Sequence, residues 1–212
     1  MNVKLVGHDL KCLQVELMQQ EVFFCEKAAM IYYEEGITST VKVLDKGVGG
    51  MIKRKLSGES IFQVELRNTH HMPKKLALAG HSGLLPINLK VLNCGIIARA
   101  GSYVASSDSV HIDFKLNLTS LIGGTGLIMQ KITGFCTVFL DATGTPLTLE
   151  LKEEETIYID EKSFICMNAH MANQASPHFS GNNLLGGEGL SMLRVTGPGT
   201  VYLSSVNVRP GM

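Results

Sequence analysis

Gly123-Gly124-Thr125-Gly126-Leu127-Ile128-Met129-Gln130-Lys131-Ile132-Thr133-Gly134-Phe135-Cys136-Thr137-Val138-Phe139-Leu140 aligns without a gap on Gly186-Gly187-Glu188-Gly189-Leu190-Ser191-Met192-Leu193-Arg194-Val195-Thr196-Gly197-Pro198-Gly199-Thr200-Val201-Tyr202-Leu203. The glycines, Leu, Met, Thr-Gly and Thr-Val are shared. A fainter first copy reads Leu56-Ser57-Gly58-Glu59-Ser60-Ile61-Phe62-Gln63-Val64-Glu65-Leu66. Ahead of each copy lies a further matched segment: Ala29-Met30-Ile31-Tyr32, Ser102-Tyr103-Val104-Ala105 and Ser163-Phe164-Ile165-Cys166. Self-similarity at a fixed period marks one structural unit used repeatedly. The approximate repeats run 12–78, 89–145 and 147–208.

The unit is made of strands. In Val110-His111-Ile112-Asp113-Phe114-Lys115-Leu116-Asn117-Leu118 every second residue is apolar. Side chains of a strand alternate between its two faces, so this pattern predicts a half-buried strand. Leu147-Thr148-Leu149-Glu150-Leu151-Lys152 and Thr156-Ile157-Tyr158-Ile159-Asp160 predict two more. Breaks such as Gly47-Val48-Gly49-Gly50, Gly123-Gly124 and Gly197-Pro198-Gly199 separate the strands as turns. The one helical signal is Gly50 to Leu56, one or two amphipathic turns with Ile52 and Leu56 on one side. A unit of about 60–70 residues buries too little surface alone, so three should pack about a common axis. The expectation is an all-β single domain over residues 1–212, with three diverged repeats in a pseudo-threefold barrel or prism of few open edges.

Composition narrows the function. Apolar residues are 45% of the chain and charged residues 18%, ample for a core. Lys plus Arg and Asp plus Glu are equal at 19 each. Phosphate neutralisation supplies much of nucleic-acid affinity, so the missing basic excess counts against such a partner. The charge is unevenly placed: Lys42 to Lys75 is mostly basic, and Glu150 to Glu161 mostly acidic. Solvated faces account for such runs, and a head-to-tail subunit contact is the sharper alternative. Cys12, Cys25, Cys94, Cys136 and Cys166 are odd in number and widely spaced, as expected of reduced thiols in a reducing cytosol. No signal-peptide core opens the chain and no run is long enough to span a bilayer, so the cytoplasm is the expected compartment.

Ala-Met-Ile-Tyr at 29–32, Lys-Arg-Lys-Leu-Ser-Gly-Glu-Ser at 53–60, Gly-Gly-Thr-Gly-Leu at 123–127, Gly-Gly-Glu-Gly-Leu at 186–190 and Thr-Gly-Pro-Gly-Thr-Val at 196–201 resemble the altered-inheritance-of-mitochondria protein 24 family over nearly the whole chain. The resemblance implies a β-fold similar to the tryptophan RNA-binding attenuation protein, of short double-stranded β-helix type and often oligomeric. It implies a link to mitochondrial inner-membrane organisation in eukaryotic relatives, and no catalytic residues. The stretch Thr69 to Gly80 departs from the family pattern in carrying His70, His71, Lys74 and Lys75.

No constellation of catalytic residues stands out. A dinucleotide loop needs its glycines between a strand and a helix, whereas Gly124-Thr125-Gly126 runs into the strand-like Leu127-Ile128-Met129. A cupin-like metal site needs His-x-His, which is absent; on a strand, His70 and His71 would face opposite ways. His170 and His178 flank a polar loop and could meet, but with no acidic partner between them. There is no Gly-x-Ser-x-Gly elbow and no cysteine in a cationic, exposed setting. Lys53, Arg54 and Lys55, flanked by Ile52 and Leu56, form the one segment suited to interaction, since a basic amphipathic turn can rest on an anionic membrane surface. The expected function is a non-catalytic, homo-oligomeric scaffold needing no cofactor or metal, with a membrane periphery as one setting. The alternatives are a small-ligand or RNA-binding sensor and a cupin-like metal enzyme.

Overall fold

The computed structural model describes residues 1–8, 10–43, 62–93, 95–115, 127–179 and 191–206. Within them the all-β expectation holds. The chain begins with β1 (Asn2–Val6), β2 (Cys12–Leu17), β3 (Val22–Cys25), β4 (Met30–Tyr33), β5 (Ile37–Val43), β6 (Phe62–Asn68) and β7 (Lys74–Leu78). Next come β8 (Leu84–Asn88), one helical turn (Leu89–Leu92), β9 (Ile96–Arg99), β10 (Tyr103–Ser106), β11 (His111–Lys115), β12 (Met129–Thr133) and β13 (Thr137–Asp141). The last stretch holds β14 (Leu147–Leu151), β15 (Thr156–Asp160), β16 (Phe164–Asn168), β17 (Ala175–Phe179), β18 (Ser191–Thr196) and β19 (Gly199–Leu203). The segment expected to form amphipathic turns, Gly50 to Leu56, lies outside the described residues, as do Gly58, Gly124 and Gly187.

Strand pairing follows one order in each stretch. β2 pairs with β7 and β7 with β4, while β3 pairs with β6 and β6 with β5. β8, β13 and β10 join in the first manner, and β9, β12 and β11 in the second. So do β14, β19 and β16, and β15, β18 and β17. A bulge falls at the same place in β4, β10 and β16, between Met30 and Tyr32, Tyr103 and Ala105, and Phe164 and Cys166. Thr-Gly, common to two sequence copies, closes β12 and β18. A side chain on Gly197 would run into the backbone of Leu151 and Lys152, and one on Gly134 would come 3.1 Å from Val110.

The expected closure into a barrel or prism is not found. The strands form open sheets ordered β1-β2-β7-β4, β5-β6-β3-β10-β13-β8, β11-β12-β9-β16-β19-β14 and β15-β18-β17. Closure would take a third junction beside the two that are formed. β3 pairs with β10 and β9 with β16, so each junction welds one stretch to the next and sets the stretches in a row. A closed body would need β4 to pair with β15, yet each of these ends its sheet.

Three cores lie between successive sheets. Leu13, Leu76 and Leu78 of the first sheet meet Phe23, Leu66 and Phe139 of the second. Ile87, Val138 and Leu140 of the second meet Ile96, Ile132 and Ile165 of the third. Phe164, Met167 and Val201 of the third meet Ile159, Leu193 and Val195 of the fourth. Period-two alternation sends Ile96 and Ala98 into the middle core and Ile97 into the last. The inner sheets therefore carry apolar side chains on both faces.

A polar network is buried in the second sheet. Gln63 Nε2 donates to Tyr103 Oη at 2.8 Å, and that hydroxyl lies 2.8 Å from Ser106 Oγ. Burial pushes the Tyr103 phenol up and keeps it neutral, partly offset by these two hydrogen bonds. Tyr103→Phe strands the Gln63 amide and the Ser106 hydroxyl in the interior. Urea unfolding should show a loss of about 1–3 kcal/mol, the usual cost of orphaned buried polar groups; an unchanged midpoint would show that water reaches them.

Candidate functional site

The sequence-predicted interaction residues Ile52, Lys53, Arg54, Lys55 and Leu56 lie outside the described residues. Several of the described groups capable of chemistry are engaged in holding the fold. Cys25, Cys136 and Cys166 are buried and free, and Cys12 is half-buried. Burial pushes the Cys25 thiol up to about 12, with the neighbouring Glu26 adding to the effect, and burial raises Cys136 and Cys166 as well. A thiol so placed carries almost no thiolate at neutral pH and is a poor nucleophile.

The histidines are scattered. His70 and His71 lie in the bend between β6 and β7, not on a strand, and their rings stack at 4.2 Å instead of facing opposite ways. His70 Nδ1 accepts the Met72 amide, which fixes that ring to its own turn. His170 Nε2 lies 3.0 Å from the Pro198 carbonyl, while the His178 ring packs 4.6 Å from Tyr158, so these two are held by different partners. His81 lies 3.6 Å from the Asp141 carboxylate. Among the described residues no three His, Cys, Asp or Glu side chains gather as a metal site would require.

The basic run beginning at Lys42 is partly internal to the fold. Glu65, buried on β6, is paired with Lys42 and with Arg67 Nη2 at 2.8 Å. The hydrogen bonds from Lys42 and then Arg67 hold its carboxyl below the usual range. Arg99 spans from β9 to the turn after β15, donating to the Glu161 carbonyl at 2.7 Å and to that of Lys162.

Among the described residues two apolar surfaces stand out. One is a groove of about 350 Å³ between the first two sheets, walled by Val3, Leu5, Leu13, Pro86 and Phe139, with Ser107 and Thr137 at its margin. Ser107 Oγ accepts the Thr137 amide. The other lies at the two ends of the row of sheets. β4 presents Ile31, Tyr32 and Tyr33 to solvent, and β14 and β15 present Leu147, Leu149 and Tyr158. Alternation along β14 predicts a half-buried strand, yet both leucines are exposed. Open strand edges carrying apolar side chains are pairing surfaces, because their backbone donors and acceptors are unpaired on one side. The sequence held a signal for this site. Where the matched copies carry Ala105-Ser106 and Cys166-Met167, the first carries the bulky Tyr32-Tyr33.

A family model described as Mitochondrial biogenesis AIM24 matches residues 3–206. No curated protein is matched. The crystal structure of a structural-genomics protein from Streptococcus pyogenes, SPYM3_0169, is similar, with a TM-score of 0.72 at 20% identity over 97% of this chain and 94% of that one. At that identity the likeness concerns the fold alone. Among the described residues no helix is long and apolar enough to cross a membrane.

Two measurements check the chemistry. Native protein treated with iodoacetamide near pH 8 should label Cys25, Cys136 and Cys166 only as fast as it opens, followed by peptide mass; rapid labelling would contradict their burial. The depressed Glu65 carboxyl gives stability that is present above its ordinary value of 4.5 and lost as pH falls through the lower folded value. The difference in urea midpoint between the native chain and Glu65→Gln should therefore shrink on acidification below 4.5; a constant difference would mean that the ion pairs contribute nothing.

Proposed function

The chain belongs to the Mitochondrial biogenesis AIM24 family, and from that footing we propose that it is a non-catalytic assembly module, homo-oligomeric, working through protein contacts in a reducing compartment such as the cytoplasm. The single observation that supports this most is the pair of end strands, β4 and β15, each with an open backbone edge and exposed aromatic side chains. Such edges are usually blunted by charge, proline or a covering loop when a protein stays monomeric. β8, an edge of the second sheet, does carry Pro86, whereas β4 and β15 carry no proline. Three diverged copies of one unit, as the internal sequence repeats suggest, account for the common pairing order. Cys25, Cys136 and Cys166 are taken up in the cores and Glu65 in ion pairs, which favours contact over chemistry at these groups. The basic turn around Ile52 to Leu56 remains the candidate contact with an anionic membrane surface.

The apolar groove between the first two sheets favours a second use, as the seat of a small apolar ligand in a sensor; a ligand that raises the melting temperature in the native chain but not in Phe139→Ala would support it.

Light scattering coupled to gel filtration tests the leading proposal. The mass should be a multiple of 23.0 kDa at micromolar concentration; a strict monomer of that mass would overturn it.

A further inference from the structure

We infer that the chain carries a surface site for a soft monovalent cation of the cuprous copper class, built by the Met18 and Met72 thioethers with the His71 imidazole. The site lies where the link between β6 and β7 meets the turn between β2 and β3. It is independent of the assembly proposed above.

The backbone there is firmly tied. Asn68, wholly buried at the end of β6, donates through Nδ2 to the Leu17 carbonyl at 2.8 Å and to the Met72 carbonyl at 2.9 Å. Its Oδ1 accepts the His70 amide at 2.8 Å. One side-chain amide thus holds Met72 at the end of β2, where Met18 directly follows Leu17. The Gln20 amide donates to the Asn68 carbonyl, and the Met18 amide to Glu21 Oε2, which fixes the facing turn. Thr69 is bound to the Gly36 carbonyl through both its amide and its hydroxyl.

Soft donors stand on this scaffold. Met18 and Met72 are 50 and 55% exposed, and His71 is exposed beside them in sequence. A thioether on a flexible chain is a filler of core gaps, the use made of Met129, Met167 and Met171, which are buried. At the surface that gain is lost, and what the side chain still offers is a polarisable sulfur. The His70 ring stacks on His71 at 4.2 Å and accepts the Met72 amide at Nδ1, which leaves its own proton on Nε2. Desolvation first, then His71 and Lys74, hold the His70 imidazole below the usual range against the pull of Glu35, so it is neutral at neutral pH. His70 is therefore the positioning residue of the bend, and His71 the nitrogen donor. Thioether ligands select Cu(I), and imidazole suits copper too, whereas zinc calls for thiolates, imidazoles and carboxylates together. Among the described residues those groups do not gather in threes. The ion binds as Cu(I), with no change of oxidation state.

The test uses the full chain with methyl-labelled methionine, titrated under argon with Ag(I), a surrogate of the same softness, and again with Cu(I) kept in solution by acetonitrile. The methyl resonances of Met18 and Met72 and the ring resonances of His71 should move together and saturate at about one ion per chain, while Met129, Met167 and Met171 stay in place. Thiols are the rival ligands, and Cys12 is half-buried and free. The shifts should therefore persist in Cys12→Ser with Cys94→Ser. Met18→Leu should weaken the response of Met72 by about tenfold or more, and His71→Gln should do the same. These replacements sit at exposed positions, so the urea midpoint should not change and loss of folding would not account for the effect. Shifts that vanish with the two thiols, an unchanged Met72 titration in Met18→Leu, or no movement of either methyl in the native chain would each overturn the site.

Discussion

A β-strand at the border of a sheet exposes a row of amide donors and carbonyl acceptors, and most of this architecture is an answer to that constraint. Each stretch of the chain folds two half-sheets against each other, and each half has outer strands with one backbone edge open. The next stretch pairs with one of them, β3 taking β10 and β9 taking β16. Sharing a sheet in this way satisfies the backbone and buries the second face of the same strands, which is why the two inner sheets are apolar on both sides. The arrangement has no natural stop. Among the described residues, β4 and β15 are the counterparts of those junction strands, and each stands at the edge of its sheet.

The side chains at the ends are suited to continuing it. A protein selected to terminate there would gain from lysine or proline on those strands, and the exposed faces instead offer isoleucine, leucine and tyrosine. Elsewhere, ionisable groups are set into the fabric. Glu65 is clasped by Lys42 and Arg67, and Arg99 ties β9 to the turn beyond β15. The buried thiols are chemically quiet.

Much of the local structure was legible in the sequence. Alternation located β11, β14 and β15, and the matched segments at Ala29, Ser102 and Ser163 mark three strands that share a bulge. Long-range pairing was not legible, because periodicity assigns faces to a strand without naming its partner. Packing about a common axis was the natural guess for three copies, and only the pairing of β3 with β10 and β9 with β16 reveals a row. The same gap hid the site. Alternation gives Leu147 and Leu149 a buried face, yet it cannot say whether another sheet covers that face, and both are exposed. The cations at Lys53 to Lys55 stand out in the sequence because charge is visible residue by residue, and an open edge is not. On a strand His70 and His71 would face opposite ways, but the link between β6 and β7 bends there and brings the rings together.

Amide hydrogen exchange resolved by peptide and followed across protein concentration addresses the shared-sheet account most directly, since backbone protection reports edge pairing itself. At concentrations where the chain assembles, amides of Ile31 to Tyr33 and Ile157 to Ile159 should exchange as slowly as those of β10 and β9, and dilution should free both segments together. Fast exchange at those two strands in the assembled protein, with protection acquired elsewhere, would contradict it.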